Sequence, residues 1–277
     1  MGSEEHIFSY TSHRTESSKL GSVFYETAGN GDTALLLIHG FPFDRRLWYK
    51  LVPLLKNVTL ILPDMPGVGN STIAGDTTSM EDYAEAMIAV LDQQNISRCL
   101  VAGHSMGGYV ALAMADLYPE RISGLSLVHS SSYADDDERK AKRDQVINFI
   151  AENGAQAFTQ AFVPGPFAPD YTNTPEIETL IKWADDCTAE GLIAAVKAMK
   201  NRPDRSYVLE RLNVPVQFIV GEKDPVFNYA VAFKQATYPK ISMVHFMRNI
   251  GHMGMIESTE ETARALNSFV TFCTERI

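Results

Sequence analysis

The sequence is poor in several features that would set it apart from ordinary globular proteins. It has three cysteines in 277 residues, and the wide spacing of Cys99, Cys187 and Cys273 fits neither a disulfide framework nor a zinc pattern. Cationic charge is in deficit, with 24 Lys and Arg against 34 Asp and Glu and a net charge of −10. Such a balance disfavours nucleic acid as a partner, because phosphate binding needs a basic face. No apolar run approaches the roughly 18 residues of a membrane span. The first residues, Met1-Gly2-Ser3-Glu4-Glu5-His6, are acidic and lack the basic start and apolar core of a signal peptide. A cytoplasmic protein without nucleic-acid or membrane partners is therefore expected. There is no His-Glu-x-x-His and no P-loop, so neither a metal nor a cofactor is expected. Gly67-Val68-Gly69 lacks the third glycine of a dinucleotide-binding turn, since Thr72 stands in its place.

What is present is a rhythm. Thr33–Ile38, Val58–Leu62, Cys99–Ala102, Ile122–Val128 and Val214–Val220 read as strands buried on both faces of a parallel sheet, with Gly21–Gly29 before them and Ile241–Met247 after. Helical patterns fall between them: Arg45–Leu55, Met80–Gln93 behind a Ser79/Asp82 cap, a run from Tyr109, and a last helix from Glu257 onward. The predicted class is α/β, a mostly parallel twisted sheet with helices on both faces. From Ser130 to about Asn213 the strand rhythm stops and helices dominate, over Glu138–Glu152, Ala155–Phe162, Glu176–Ala184 and Ala189–Met199. The expected division is a core of residues 1–129 and 214–277 and a helical cap of residues 130–213, since insertions of this kind usually cover a site. Asp135-Asp136-Asp137-Glu138 reads as a solvated helix start.

Gly103-His104-Ser105-Met106-Gly107 lies where a buried strand gives way to a helix. Glycines flank a nucleophile in this pattern because the turn is strained and crowded. The three fixed positions alone recur by chance in about one chain in ten of this length, so context has to carry the reading. In open α/β sheets reactive groups collect beyond the carboxyl ends of strands, and His39, Ser105, Asp224 and His252 all fall there.

A serine hydroxyl needs a base, and histidine suits that task near neutral pH. His252, in a glycine-flanked loop after the last strand, is the candidate. His104 and His39 read as structural, while His6, His13, His129 and His245 have no supporting context. The base needs a carboxylate to fix its tautomer. Asp224 is preferred, with Glu222 as chief rival and Asp135 and Asp64 behind it. Oxyanion donors are expected from the backbone N–H groups of Met106 and Phe41.

Five motifs together resemble the α/β-hydrolase superfamily across nearly the whole chain: His39-Gly40-Phe41-Pro42, Asp64-x-x-Gly67-x-Gly69-x-Ser71, Gly103-His104-Ser105-Met106-Gly107-Gly108, Gly221-Glu222-Lys223-Asp224 and Gly251-His252. The resemblance implies an α/β-hydrolase fold, a Ser105, Asp224, His252 triad and a helical cap. Members of this fold that use an aspartate nucleophile, the haloalkane dehalogenases and epoxide hydrolases, are disfavoured by Ser105. What remains looks like the carboxylesterase, enol-lactonase and cofactor-free perhydrolase branch. The expected activity is serine-dependent cleavage of a small or medium carboxylic ester, lactone or thioester. Carbon-carbon hydrolysis of a dienoic diketone and a slow-turnover small-molecule receptor are the alternatives. The expected partner is a small acyl substrate.

Overall fold

The structure, a computed structural model, describes residues 9–17, 19–74 and 79–275; the acidic start from Met1 to His6 lies outside them. Eight strands form one sheet: β1 (Thr11–Ser17), β2 (Gly21–Gly29), β3 (Thr33–Ile38), β4 (Val58–Pro63), β5 (Cys99–His104), β6 (Ile122–Val128), β7 (Val216–Gly221) and β8 (Ser242–Met247). Their spatial order is β1-β2-β4-β3-β5-β6-β7-β8. β1 with β2 and β2 with β4 are antiparallel, and every later pairing is parallel.

Side chains alternate across a strand, and here both faces are apolar. In β3, Leu36 and Ile38 enter one core layer and Leu35 and Leu37 the other, all fully buried. The first layer is covered by α1 (Met80–Gln93) and α2 (Met106–Leu117). Ser79 and Asp82 form the expected capping box at the start of α1. Between β6 and β7 the chain runs through α3 (Asp137–Phe162), α4 (Pro175–Ala184), α5 (Ala189–Asn201) and α6 (Ser206–Arg211), with α3 packed on α5. After β7 come α7 (Tyr229–Gln235), then α8 (Gly254–Glu257) and α9 (Thr259–Thr274) beyond β8. Leu266 and Phe269 of α9, with Trp48 and Leu51, fill the second layer. No helix among the described residues is long and apolar enough to cross a membrane.

Three local expectations are corrected and one strand, β1, is added. Arg45–Leu55 is two 3-10 turns, Arg45–Trp48 and Val52–Leu54, because Pro53 has no amide to donate and its ring clashes with a preceding α-turn. The last helix breaks at Ser258 into α8 and α9. β1 carries the polar sequence Thr-Ser-His-Arg-Thr-Glu-Ser and is an edge strand, so no apolar alternation announces it. The acidic run is solvated only in part: Asp136 caps α3 by accepting from the Arg139 amide, whereas Asp135 is buried between Arg143 at 3.1 Å and Arg202 at 2.8 Å.

Candidate active site

β5 is buried along its whole length, and the chain turns from it into α2 through the single residue Ser105. Ser105 has φ 50 and ψ −114, a backbone that costs a non-glycine residue about 1–3 kcal/mol and persists only where neighbours hold it. The holding contacts are visible. The Ser105 amide donates to the Val128 carbonyl at 3.0 Å, and its carbonyl accepts from the Gly108 amide at 2.9 Å and from Ser130 Oγ at 2.7 Å. Gly103 and Gly107 are glycines because there is no room: a Cβ on Gly103 would overlap the Gly107 carbonyl, and one on Gly107 the Ile38 and His39 carbonyls. The serine side chain is left half-buried at the end of the strand.

The loops after β7 and β8 meet beside it. Asp224 Oδ1 accepts from the amides of Val226 at 2.8 Å and Phe227 at 2.9 Å, which fixes the carboxylate plane. Its Oδ2 lies 2.9 Å from His252 Nδ1, the spacing of a direct hydrogen bond. Burial works to raise the Asp224 carboxyl, and the imidazoles of His252 and His129 overcome it, leaving the group well below the usual carboxylate range. A carboxylate in that state keeps the proton of its neighbour on Nδ1, so Nε2 of His252 is the basic nitrogen. The His252 backbone is anchored at both ends, its amide to the Pro166 carbonyl at 2.9 Å and its carbonyl to His104 Nε2 at 3.0 Å. Glu257 gathers the surrounding loop by accepting from the Gly251, Met253 and Ala168 amides.

The other histidines divide as their surroundings require. His39 is fully buried, donates from Nδ1 to the Gly40 carbonyl at 3.1 Å and accepts at Nε2 from the Met65 amide at 2.9 Å; burial pushes it down to about 4. It shapes the loop that carries Phe41. His104 is likewise held well below its ordinary value, by burial first and then by His252 and His129. His13 stacks on Tyr25 and meets Thr27 Oγ1, and His245 meets Glu261; neither approaches the site. His6 lies outside the described residues. His129 corrects the expectation: a residue without sequence context stands 3.4 Å from Asp224 Oδ2. Nothing in the run Leu127-Val128-His129 signals this, because the approach is made between distant loops.

The rival acids are engaged elsewhere. Glu222 accepts from the Asn249 amide. Asp64 is locked to Arg45, whose other branch reaches Glu26, and Asp135 is held by Arg202 and Arg143. Met106, as the first residue of α2, has no intrahelical carbonyl for its amide. Among the described residues no carbonyl accepts from the Phe41 amide. A Cβ built on Gly40 would lie 3.2 Å from Ser105 Cβ, so the Phe41 loop runs directly over the serine. His129, Asp224 and His252 bring metal-ligand atom types within 4.8 Å of one another, but the 2.9 Å pair inside that group is already a direct acid–imidazole bond. The three cysteines are buried and unpaired, and burial raises each thiol to about 12, which leaves them inert as nucleophiles.

Residues 33–259 match the family model described as alpha/beta hydrolase fold. A thermophilic esterase from Thermogutta terrifontis superposes with a TM-score of 0.88 at 25% identity, covering 95% of this chain and 99% of that one. The pimeloyl-[acyl-carrier protein] methyl ester esterase of Sodalis glossinidius is 33% identical over 73% of this chain and 80% of its own length. The dihydrolipoyllysine-residue acetyltransferase component of the acetoin cleaving system of Pseudomonas putida is 27% identical over 89% of this chain, which spans 66% of that protein. With a sheet, an elbow and a family match that agree along most of its length, this chain belongs to the alpha/beta hydrolase fold family.

Proposed function

We propose that the protein is a serine hydrolase that cleaves a small or medium carboxylic ester, lactone or thioester through an acyl-enzyme. The observation that carries this reading is the 2.9 Å contact between His252 Nδ1 and Asp224 Oδ2 at the strand ends that also present Ser105 on its elbow. In this scheme His252 Nε2 takes the Ser105 hydroxyl proton as Oγ attacks the acyl carbonyl. The Phe41 and Met106 amides hold the oxyanion. Collapse of the tetrahedral adduct expels the alcohol or thiol, which receives the proton from His252. Water then enters by the same steps in reverse and frees the acid. Asp224 fixes the His252 tautomer and stabilises the imidazolium throughout.

Residues 130–213 act in this reading as a cap over a core of residues 1–129 and 214–277. Its support is aromatic: Phe158 and Phe162 of α3 stack on each other at 5.2 Å and sit 5.8 and 5.7 Å from Phe41. That cluster places an apolar wall beside the proposed oxyanion loop, which suits an acyl chain. The test is a panel of p-nitrophenyl esters, lactones and acyl thioesters of graded length, with Ser105→Ala alongside. Turnover that disappears in Ser105→Ala is the expected result. Retention of wild-type turnover in that variant overturns the mechanism, and rapid decay of a dienoic diketone with negligible ester turnover reassigns the bond cleaved.

A further inference from the structure

Resting on that reading, we propose that His129 is a positioning residue for the acid of the triad: its Nδ1–H bonds to Asp224 Oδ2, so that two imidazoles share one carboxylate oxygen. His129 follows β6, as Asp224 follows β7 and His252 follows β8. Its side chain is 0% exposed, and Nδ1 lies 3.4 Å from Asp224 Oδ2. A shift of roughly half an ångström brings that contact to ordinary hydrogen-bond length.

The rest of the environment leaves the proton one destination. Nε2 of His129 faces Gly254 so closely that a Cβ there would lie 2.5 Å away, and Met247 Sδ adjoins the same spot. Neither ring nitrogen has a completed hydrogen bond among the described residues. A buried polar group in that condition is costly, and an apolar side chain would fill the space without the penalty. Among the described residues Asp224 Oδ2 is the charged acceptor the ring approaches, at Nδ1, while the Nε2 side meets only the weak thioether acceptor of Met247, and this assigns the proton to Nδ1. The backbone is specified too: His129 has φ 47, and its amide donates to the Ile219 carbonyl at 2.9 Å.

With His129 included, the carboxylate has a donor for every direction: the Val226 and Phe227 amides on Oδ1, and His252 and His129 on Oδ2. A second donor on Oδ2 draws charge away from the bond to His252 and so weakens the hold on its imidazolium. The titratable groups facing the His129 ring are Asp224 from the loop after β7, His252 from the loop after β8, with ring centroids 5.8 Å apart, and His104 from the end of β5, at 6.2 Å. Met247 and Gly254, which meet on the Nε2 side of the ring, carry no charge. His104 is kept neutral by burial, so the effect of removing His129 passes through Asp224 to His252.

The experiment is the pH dependence of kcat/KM for the wild type, His129→Phe, His129→Gly and His129→Asn. Losing the donor strengthens the Asp224–His252 bond, so the acid limb in His129→Phe and His129→Gly moves to higher pH by about half a unit to one unit. Asn retains a donor near the Nδ1 position and tolerates the left-handed backbone, so His129→Asn returns the limb to the wild-type position. A merely structural histidine would lower the melting temperature of the variants without moving the limb, and that outcome overturns the proposal. Should Phe prevent folding at φ 47, the glycine variant carries the comparison. If the wild type shows no Ser105-dependent turnover, the functional reading has failed separately. NMR titration of the His252 imidazole in wild type and His129→Gly then decides: a raised midpoint in the variant supports the proposal and an unmoved one overturns it.

Discussion

His104 Nε2 donates to the backbone carbonyl of His252 across 3.0 Å. The residue that precedes the nucleophile in sequence therefore holds the loop of the proposed base, 148 positions away. The rings of His104 and His252 lie 4.9 Å apart, so the elbow and the base loop are packed as well as bonded. His104 is neutral in this setting because burial excludes its charged form, and the bond must come from the Nε2–H tautomer.

Replacing that donor should loosen the base without touching it. His104→Leu is expected to lower kcat by on the order of tenfold or more, since small displacements of a catalytic group are expensive in rate. His104→Gln, which keeps an amide donor at similar reach, should recover much of the loss. Steady-state kinetics on the best p-nitrophenyl ester, with melting temperatures beside them, separates this from general instability. Equal kcat for His104→Leu and the wild type would show that the 3.0 Å bond does not position His252.

Asp224→Asn removes the acceptor that sets the His252 tautomer while leaving nearly the same volume. Turnover should fall by about 10³ to 10⁴, with circular dichroism unchanged. Glu222→Gln is the matched control, because Glu222 bonds to the Asn249 amide and not to His252. Near-normal turnover in Asp224→Asn would assign the acid elsewhere.

Acid should destabilise the fold through His39. Its folded value is about 4, below the ordinary 6.5, because burial opposes its charge. A base whose value is depressed by folding contributes full stability above the unfolded value and loses it as pH falls toward the folded one. At pH 5 the unfolded chain has taken up the proton and the folded chain has not, a loss of about 2 kcal/mol relative to neutral pH. His104 is shifted in the same direction and adds to the slope. Thermal unfolding between pH 7.5 and pH 5 should show the decline, and His39→Gln, which keeps an acceptor for the Met65 amide, should show less of it. An unchanged slope in that variant would remove His39 from the account.

How much of this was legible in the sequence follows from where each signal resides. β3, β5 and β7 read as apolar runs, which locates the strand ends that lead into the Phe41 loop, Ser105 and the loop of Asp224, whereas the loop of His252 follows β8, a partly exposed strand. Between β6 and β7, α3, α4 and α5 announce themselves by periodicity and by the Pro/Gly break between Val163 and Pro169, while the short α6 does not. β1 is invisible because its alternation is polar against solvent. The Arg45–Asp64–Glu26 network, the burial of Asp135 under Arg202 and the approach of His129 to Asp224 are equally silent. Each joins residues from separate elements, and a charged or imidazole side chain carries no local mark of the partner it will meet.

Gly154 separates two demands on α3. The helix runs from Asp137 to Phe162, yet Gly154 has φ 84 and ψ 170 inside it, a region essentially restricted to glycine. No heavy atom lies within 4 Å of a Cβ built there, so packing does not require glycine and the backbone alone does. The half before the break is tied down by Arg143 to Asp135 and by Asp144 to Lys200, while the half after it delivers Phe158 and Phe162 to Phe41. Gly154→Ala therefore meets a choice. Keeping the break costs about 1–3 kcal/mol of backbone strain, less the roughly 0.4–1 kcal/mol returned by a stiffer unfolded chain. Straightening the helix instead avoids the strain and re-aims both phenylalanines away from Phe41. The first outcome lowers the melting temperature with acyl-chain preference retained; the second changes acyl-chain preference with stability largely kept. Thermal unfolding and the graded ester panel on Gly154→Ala distinguish the two, and a variant unchanged in both would show that α3 has no fixed break at this residue.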